Sequence, residues 1–113
     1  MADGYNVCTF IGNLVADAEL RAAGGDMVLN FRLACSETYK DREGNKRENT
    51  TFVPCAMWGK RADALAQYMV KGKQVFVSGS LQIRSYEKDG QKRYATGIKV
   101  HDVRLLGGGG GEA

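Results

Sequence analysis

Residues 73–86 read KQVFVSGSLQIRSY, and they carry the most informative pattern of the chain. Apolar and polar side chains alternate along it, which predicts a long strand with one face turned towards a core. Gly79 stands in the middle of the strand, where it would only weaken a flat sheet because it has no side chain to pack. The same glycine suits a tight bend at the corner of a barrel. The stretch therefore predicts a long, bent strand of a closed β-barrel.

The residues before this strand follow a different period. Within residues 60–70, apolar side chains recur at the i, i+3, i+4 and i+7 spacing of one helix face: Ala62, Leu65, Ala66 and Met69. Gly72 stands where a helix of this length would end. The pattern predicts one short amphipathic helix just before the long strand.

Four more strands are predicted from β-branched, aromatic and alternating residues: 5–14, 27–38, 50–58 and 93–106. Pro54 cannot donate to a strand ladder, so we expect that point of the third strand to lie at an edge or a bulge. The stretch around Gly24 and Gly25 is expected to be irregular, and the charged residues 39–48 to form a solvated hairpin loop. Asp89 and Gly90 form a dipeptide typical of hairpin turns.

Five strands with one helix between the third and the fourth have the order of the OB-fold, an all-β, five-stranded Greek-key barrel. The 113 residues suit a single domain at 1–106, and such a chain can bury an ordinary core without disulfides or metal. Residues 107–113, GGGGGEA, are expected to be flexible, as the start of a linker or a truncated tail.

Composition narrows the class of protein. A net charge of +3 does not by itself indicate a polyanionic partner. No apolar run approaches the roughly 20 residues that span a bilayer, and the first residues lack the pattern of a secretory signal. We therefore expect a cytoplasmic protein without a membrane partner.

The sequence lacks the residue patterns that are typical of catalytic or metal-binding sites. Cys8, Cys35 and Cys55 lie in apolar runs without CxxC spacing, which is typical of buried, reduced thiols. His101 is the only histidine, and it lies too far from paired cysteines to suggest a zinc site. No serine or cysteine has the context of an activated nucleophile, and no glycine motif of a triphosphate site is present. The sequence predicts no enzyme, no metal and no cofactor.

Aromatic and basic residues are instead interleaved at strand ends and on polar strand faces. Single-stranded nucleic acid is bound by this combination, because rings stack on unpaired bases while cations follow the phosphates. Four rings are the candidates for stacking: Tyr39, Phe52, Trp58 and Tyr86. Phe52 and Trp58 are an even number of residues apart in one predicted strand, so their side chains should project from the same face. Stacking and phosphate contacts do not distinguish bases, so sequence-tolerant binding of single-stranded DNA is predicted.

Other interpretations stay open on the residues alone. Phe52 taken singly fits the barrel core as well as an outer face. A cold-shock-like barrel would bind RNA with the same stacking chemistry. Nucleases and assembly modules related to primosomal proteins are also built on this fold.

The chain closely resembles the bacterial single-stranded-DNA-binding protein family in five blocks: NVCTFIGNL at 6–14, FRLACSETY at 31–39, WGK at 58–60, YMVKGKQVFVSGSL at 68–81 and RLLG at 104–107. The resemblance implies that the same four rings stack on DNA. It also implies phosphate contacts from five cations: Arg21, Lys60, Lys71, Arg84 and Arg93. Roles in DNA replication, recombination and repair follow from the resemblance as expectations.

Some residues depart from the family pattern. Val7 replaces a frequent lysine, which weakens one expected phosphate contact, and Val53 and Pro54 replace a histidine and an arginine at a usual subunit contact. The resemblance implies a homotetramer, because the chain holds one barrel. Replication and repair proteins are expected as partners only if an acidic C-terminal tail exists beyond this chain.

Overall fold

In the computed structural model, which describes residues 3–107, the chain forms six strands and one α-helix. The strands are β1 (Cys8–Leu14), β2 (Glu19–Ala23), β3 (Asp26–Lys40), β4 (Lys46–Trp58), β5 (Gln74–Lys88) and β6 (Gln91–Leu105). The helix, α1 (Lys60–Leu65), continues into a 3-10 turn at Ala66–Tyr68. Apart from Gly107, the predicted flexible tail lies outside the described residues.

Five of the strands close a barrel. They are hydrogen-bonded in the order β1-β5-β6-β4-β3, and the pairing of β1 with β3 completes the ring. The β4–β6 contact is parallel and only two residue pairs long, at Cys55 and Ala56. Pro54 comes one residue before it, where β3 alone pairs with β4, in agreement with the predicted edge position. The predicted OB-fold is confirmed, with α1 between the third and fourth strands of the barrel.

Three local predictions were wrong. The stretch before Gly24 is not irregular, because Glu19–Ala23 forms β2, a hairpin partner of β3. The hairpin loop predicted at 39–48 is shorter, since β3 and β4 stay paired out to Lys40 and Lys46 and only residues 41–45 form the turn. Pairing in this part of the hairpin does not depend on apolar side chains, because the tight turn sets the register of the two strands. The predicted helix at 60–70 is shorter, because its last turn tightens to 3-10 geometry, as helix ends commonly do.

The core follows the predicted alternation. Leu29, Leu33, Val75 and Val77 are fully buried, and the 3-10 turn leads into buried Met69. In β4 the odd-numbered side chains Val53, Cys55 and Met57 are buried as well. Each large aliphatic side chain buried in this way contributes about 1.5–3 kcal/mol. The even-numbered face of β4 is thereby left on the outside of the barrel.

Gly79 bends β5 at the predicted corner. Ser78 pairs with Asp102 and Gly79 pairs with Val100, so His101 is the extra residue of a β-bulge in β6. A Cβ atom on Gly79 would lie 2.9 Å from Ile98 Cγ2 and closer still to the carbonyl oxygen of Lys99. The close approach of the two strands therefore requires a residue without a side chain.

Beyond this corner, β5 and β6 leave the barrel as a two-stranded ribbon. β1 pairs with β5 only as far as Gly79, and β4 pairs with β6 only at Ile98 and Lys99. Among the described residues, 82–97, here called the arm, therefore pair only with each other. The arm ends in a turn where Asp89 and Gly90 both have positive φ (56° and 76°), as the predicted hairpin dipeptide requires.

Candidate nucleic-acid interface

A groove of about 730 Å³ runs across the outer surface of the barrel. One wall comes from β2, the floor from the outward faces of β3 and β4, and the other wall from the arm and the adjoining part of β6. Small residues line much of it, including Ala22, Ala23, Ala56, Ala95 and Gly97. Because these side chains are short, an extended ligand can lie close to the backbone of the sheet.

Three of the predicted site residues line this groove. Trp58 lies at the end of β4 and exposes 48% of its surface, while Arg21 and Arg84 contribute from the two walls. The guanidinium of Arg21 is 3.1 Å from Glu19 Oε1, and both side chains are about two-thirds exposed. An ion pair this exposed contributes little, so Arg21 can exchange its carboxylate for a phosphate.

Tyr86 extends the same surface along the arm. Arg84, Ser85, Tyr86 and Ala95 surround a smaller depression of about 270 Å³ beside the groove. Tyr86 is 48% exposed, and its partner across the arm is Arg93. Directly opposed residues share one face of an antiparallel pair. Arg84, Tyr86 and Arg93 therefore share the groove-side face of the arm.

Phe52 and Tyr39 lie farther along the β3–β4 pair. Phe52 is 56% exposed on the outward face that carries Trp58, so the shared parity is confirmed and the core interpretation of Phe52 is wrong. Tyr39 is 53% exposed. It pairs with Arg47, an odd-numbered residue of β4, and therefore projects from the face opposite to that of even-numbered Phe52. The structure thus places Phe52 and Trp58 on one face and Tyr39 on the other.

Asp41 organises the turn next to Tyr39. Its carboxylate accepts hydrogen bonds from Arg47 Nε (2.9 Å) and from the backbone N–H groups of Glu43 (2.9 Å) and Asn45 (2.8 Å). The hydrogen bond from Arg47, followed by those from the turn backbone, lowers the pKa of Asp41. The turn that holds Tyr39 and Arg47 in register is therefore preorganised at neutral pH.

The remaining predicted cations lie outside the groove lining. Lys60 begins α1, directly after Trp58 and Gly59. Lys71 follows the 3-10 turn, where its backbone N–H donates to Asp17 Oδ1 (2.8 Å). Both side chains are exposed, which leaves their ammonium groups accessible to a phosphate. Their proposed DNA contacts stay predictions.

Sequence reasoning missed most of the groove lining, including Lys99, Asn30 and Gln82. Lys99 enters the groove because it pairs with Ala56 in the short parallel contact between β4 and β6. That pairing forms only when the barrel closes, so strand alternation alone does not reveal it. The two amides bring hydrogen-bond donors and acceptors to the groove.

The reactive side chains elsewhere are held in structural contacts. Ser80 Oγ lies 2.8 Å from His101 Nε2, but neighbouring Asp102 is engaged by Arg61 (3.3 Å) and Arg104 (3.2 Å). Burial, with a smaller contribution from the nearby Cys35 thiol, raises the pKa of Cys55 to about 12. Within residues 3–107, no three histidine, cysteine or acidic side chains are grouped as metal ligands would be.

Comparison with known proteins gives the family. The sequence pattern of the single-strand binding protein family matches residues 5–106. "Single-stranded DNA-binding protein 1" of Chlorobaculum tepidum is 46% identical over 110 residues, which cover 95% of this chain and 68% of that protein. "Single-stranded DNA-binding protein 3" of Clostridium acetobutylicum is 41% identical over 104 residues, covering 89% of this chain and 70% of that protein. The chain belongs to the single-strand binding protein family.

Solved structures agree with this assignment. The SSB of Plasmodium falciparum, solved in complex with ssDNA, superposes with a TM-score of 0.86 at 26% identity, covering 94% of this chain and 98% of that one. A deletion mutant of the single-stranded DNA binding protein from Thermus aquaticus gives a TM-score of 0.84 at 30% identity. That match covers 96% of this chain and 53% of the Thermus chain. None of the helices formed by residues 3–107 is long and apolar enough to cross a membrane.

Proposed function

We propose that this protein binds single-stranded DNA with little regard to sequence, by stacking bases on exposed rings and holding phosphates with arginine and lysine. The observation that carries the proposal is the groove itself. It combines the exposed ring of Trp58 with Arg21, Arg84 and Lys99 in a channel lined by small side chains.

Four exposed rings supply the stacking surface. Trp58 and Tyr86 lie in and beside the groove, Phe52 lies farther along the same outward face of β4, and Tyr39 projects from the opposite face of the β3–β4 pair. Each base stacked on a ring contributes about 1–3 kcal/mol, so even two occupied rings account for a large share of a micromolar affinity. Every base has a flat face, and this contribution is therefore tolerant of sequence.

The cations supply the second part of the binding energy. Arg21, Arg84 and Lys99 face the groove, and Arg93 lies on the groove-side face of the arm beside Tyr86. Lys60 and Lys71 are proposed to contact the strand where it enters or leaves the groove. A net charge of +3 is sufficient for this, because the strand responds to the local potential of the groove.

Binding and protection of single strands during replication, recombination and repair is the corresponding cellular role, in the cytoplasm at the nucleoid. Residues 1–106 act as one binding domain in this proposal, and 107–113 as the start of a linker or a truncated tail. Four copies assemble into a homotetramer, as the single barrel implies. Recruitment of replication and repair proteins would require an acidic tail beyond this chain.

Direct binding tests the proposal. Anisotropy of labelled oligo(dT) at low salt should show tight binding that unlabelled oligo(dC) displaces and duplex DNA does not. The Trp58→Ala variant should bind at least about fivefold more weakly, given the magnitude of one stacked base. No binding by the wild-type protein, or equal binding of duplex, would contradict the proposal.

The same assay separates the alternative functions. Displacement by oligo(rU) at much lower concentrations than by oligo(dT) would favour an RNA-binding barrel. We propose that the chain is not an enzyme, so labelled single strands incubated with protein and Mg²⁺ should stay intact. Cleavage that copurifies with the wild-type protein and is lost in a groove variant would establish a nuclease instead.

A further inference from the structure

The arm has a second face that the groove does not use. Residues opposed across the arm share a face, and Tyr94 is opposed to Ser85, whereas Arg93 is opposed to Tyr86. Tyr94 therefore projects from the side of the arm opposite to Tyr86. Ile83 and Lys92 project from the same side of the arm as Tyr94, and these three residues define the back face.

The large apolar side chains of the back face are more exposed than the ring on the groove side. Tyr94 is 64% exposed and Ile83 is 60% exposed, against 48% for Tyr86 on the groove side. Within residues 3–107, neither edge of the arm pairs with another strand, and a two-stranded ribbon alone is only marginally stable in water. A large ring and an aliphatic side chain kept together on such a ribbon indicate a surface that gains by being covered.

The residues of the back face indicate which kind of ligand covers this surface. Lys92 Nζ lies over the Tyr94 ring, 5.9 Å from its centre, so a cation and a ring are held together on this face. Glu87 is the cross-strand partner of Lys92 on this face, and Lys88 adds a cation at the tip. A ring next to a cation is the combination that binds single strands, as in the groove.

The back face is also continuous with the proposed DNA path. Tyr86 and Tyr94 are one register step apart along the arm, and only the ribbon lies between them. A sheet with its side chains is about 10 Å thick, and a few nucleotides span that distance, since even a strand stacked as in a duplex advances about 3.4 Å per nucleotide. A strand that leaves Tyr86 can reach Tyr94 by passing around an unpaired edge or the tip of the arm.

We infer that a single strand longer than the groove folds around the arm and stacks a further base on Tyr94, with Lys92 beside its phosphate. The inference rests on the proposed function and adds a second binding face to it. The protein would then hold long strands more tightly than short ones through contacts within one chain, in addition to any that assembly provides.

The test compares two lengths of oligo(dT) on matched variants. The short one has about 8 nucleotides, within the roughly 4–16 that one OB-fold covers, and the long one has about 30. Tyr94→Ala should bind the short strand as the wild-type protein does and the long strand at least about fivefold more weakly. Tyr94→Phe keeps the ring and should restore binding of the long strand.

Tyr68→Ala is the control, since Tyr68 is 52% exposed but lies on the 3-10 turn, away from the arm. It should leave both affinities unchanged. Equal affinity of Tyr94→Ala and the wild-type protein for the long strand would overturn the inference. So would a smaller assembly of Tyr94→Ala by light scattering, since the face would then contact a second copy. Failure of the wild-type protein to bind either strand would refute the proposed function itself.

Discussion

Replacing Gly79 with alanine should loosen the barrel corner from which the arm departs. The added Cβ would lie 2.9 Å from Ile98 Cγ2 and even closer to the backbone oxygen of Lys99. A backbone oxygen cannot rotate away as a side chain can, so β6 must shift at its bulge. Overpacking of this kind costs about 1–3 kcal/mol, and contact with backbone places Gly79→Ala at the upper end.

Thermal unfolding followed by circular dichroism measures the effect. At about 4 °C per kcal/mol for a domain of this size, a cost of about 2–3 kcal/mol should lower Tm by roughly 8–12 °C. Gly97→Ala is the matched control in the same hairpin, because its Cβ would meet only the Pro54 oxygen at 3.4 Å. Its Tm should change by no more than about 2 °C. Equal Tm values for the two variants would refute the account of the corner.

Three further predictions concern the site and the core. The double variant Tyr39→Ala, Tyr86→Ala should lose more than about tenfold in affinity for oligo(dT), and unchanged affinity would favour a purely structural assembly module. Arg84→Gln should make the slope of log K against log salt shallower by about 0.7, whereas Lys73→Gln, outside the groove lining, should leave it unchanged. Burial raises the pKa of Cys55 to about 12 from an ordinary 9.0, so the folded state keeps a proton that the unfolded state releases. The stability from this group should be complete below pH 9 and fall by up to about 1.4 kcal/mol per pH unit between pH 9 and 12, a loss measured by urea unfolding and absent in Cys55→Ala.

The barrel could be predicted because inward and outward residues alternate along each long strand. Val53 and Met57 against Phe52 and Trp58 give the two faces of β4 directly. The segment Glu19–Ala23 was missed because ELRAA has no β-branched or aromatic residue and alternates over only four residues, and it becomes a strand through its pairing with β3. Tertiary pairing, not local propensity, decides such short edge strands.

The candidate site, like the fold, was predicted where it depends on one strand and missed where it depends on pairing between distant strands. The exposure of Tyr39 and Tyr86 followed from their charged surroundings, and the shared face of Phe52 and Trp58 followed from the alternation of side chains along β4. Lys99 was missed because its place in the groove depends on the pairing of β4 with β6, which joins residues far apart in the chain. The back face around Tyr94 was missed for a related reason. In the alternating pattern of β5, Ile83 falls in the same set as the buried residues Val75 and Val77. The back face is exposed only because the arm extends beyond the barrel.

The most direct measurement uses the intrinsic fluorescence of Trp58, which is the only tryptophan of the chain. Its ring is half exposed in the groove, where the account places a stacked base. Titration with oligo(dT) at low salt should quench the emission to saturation, and added salt should reverse it as phosphate contacts are lost. Emission that stays unchanged while the oligonucleotide is shown to be bound would mean that bases do not stack on this face of the barrel.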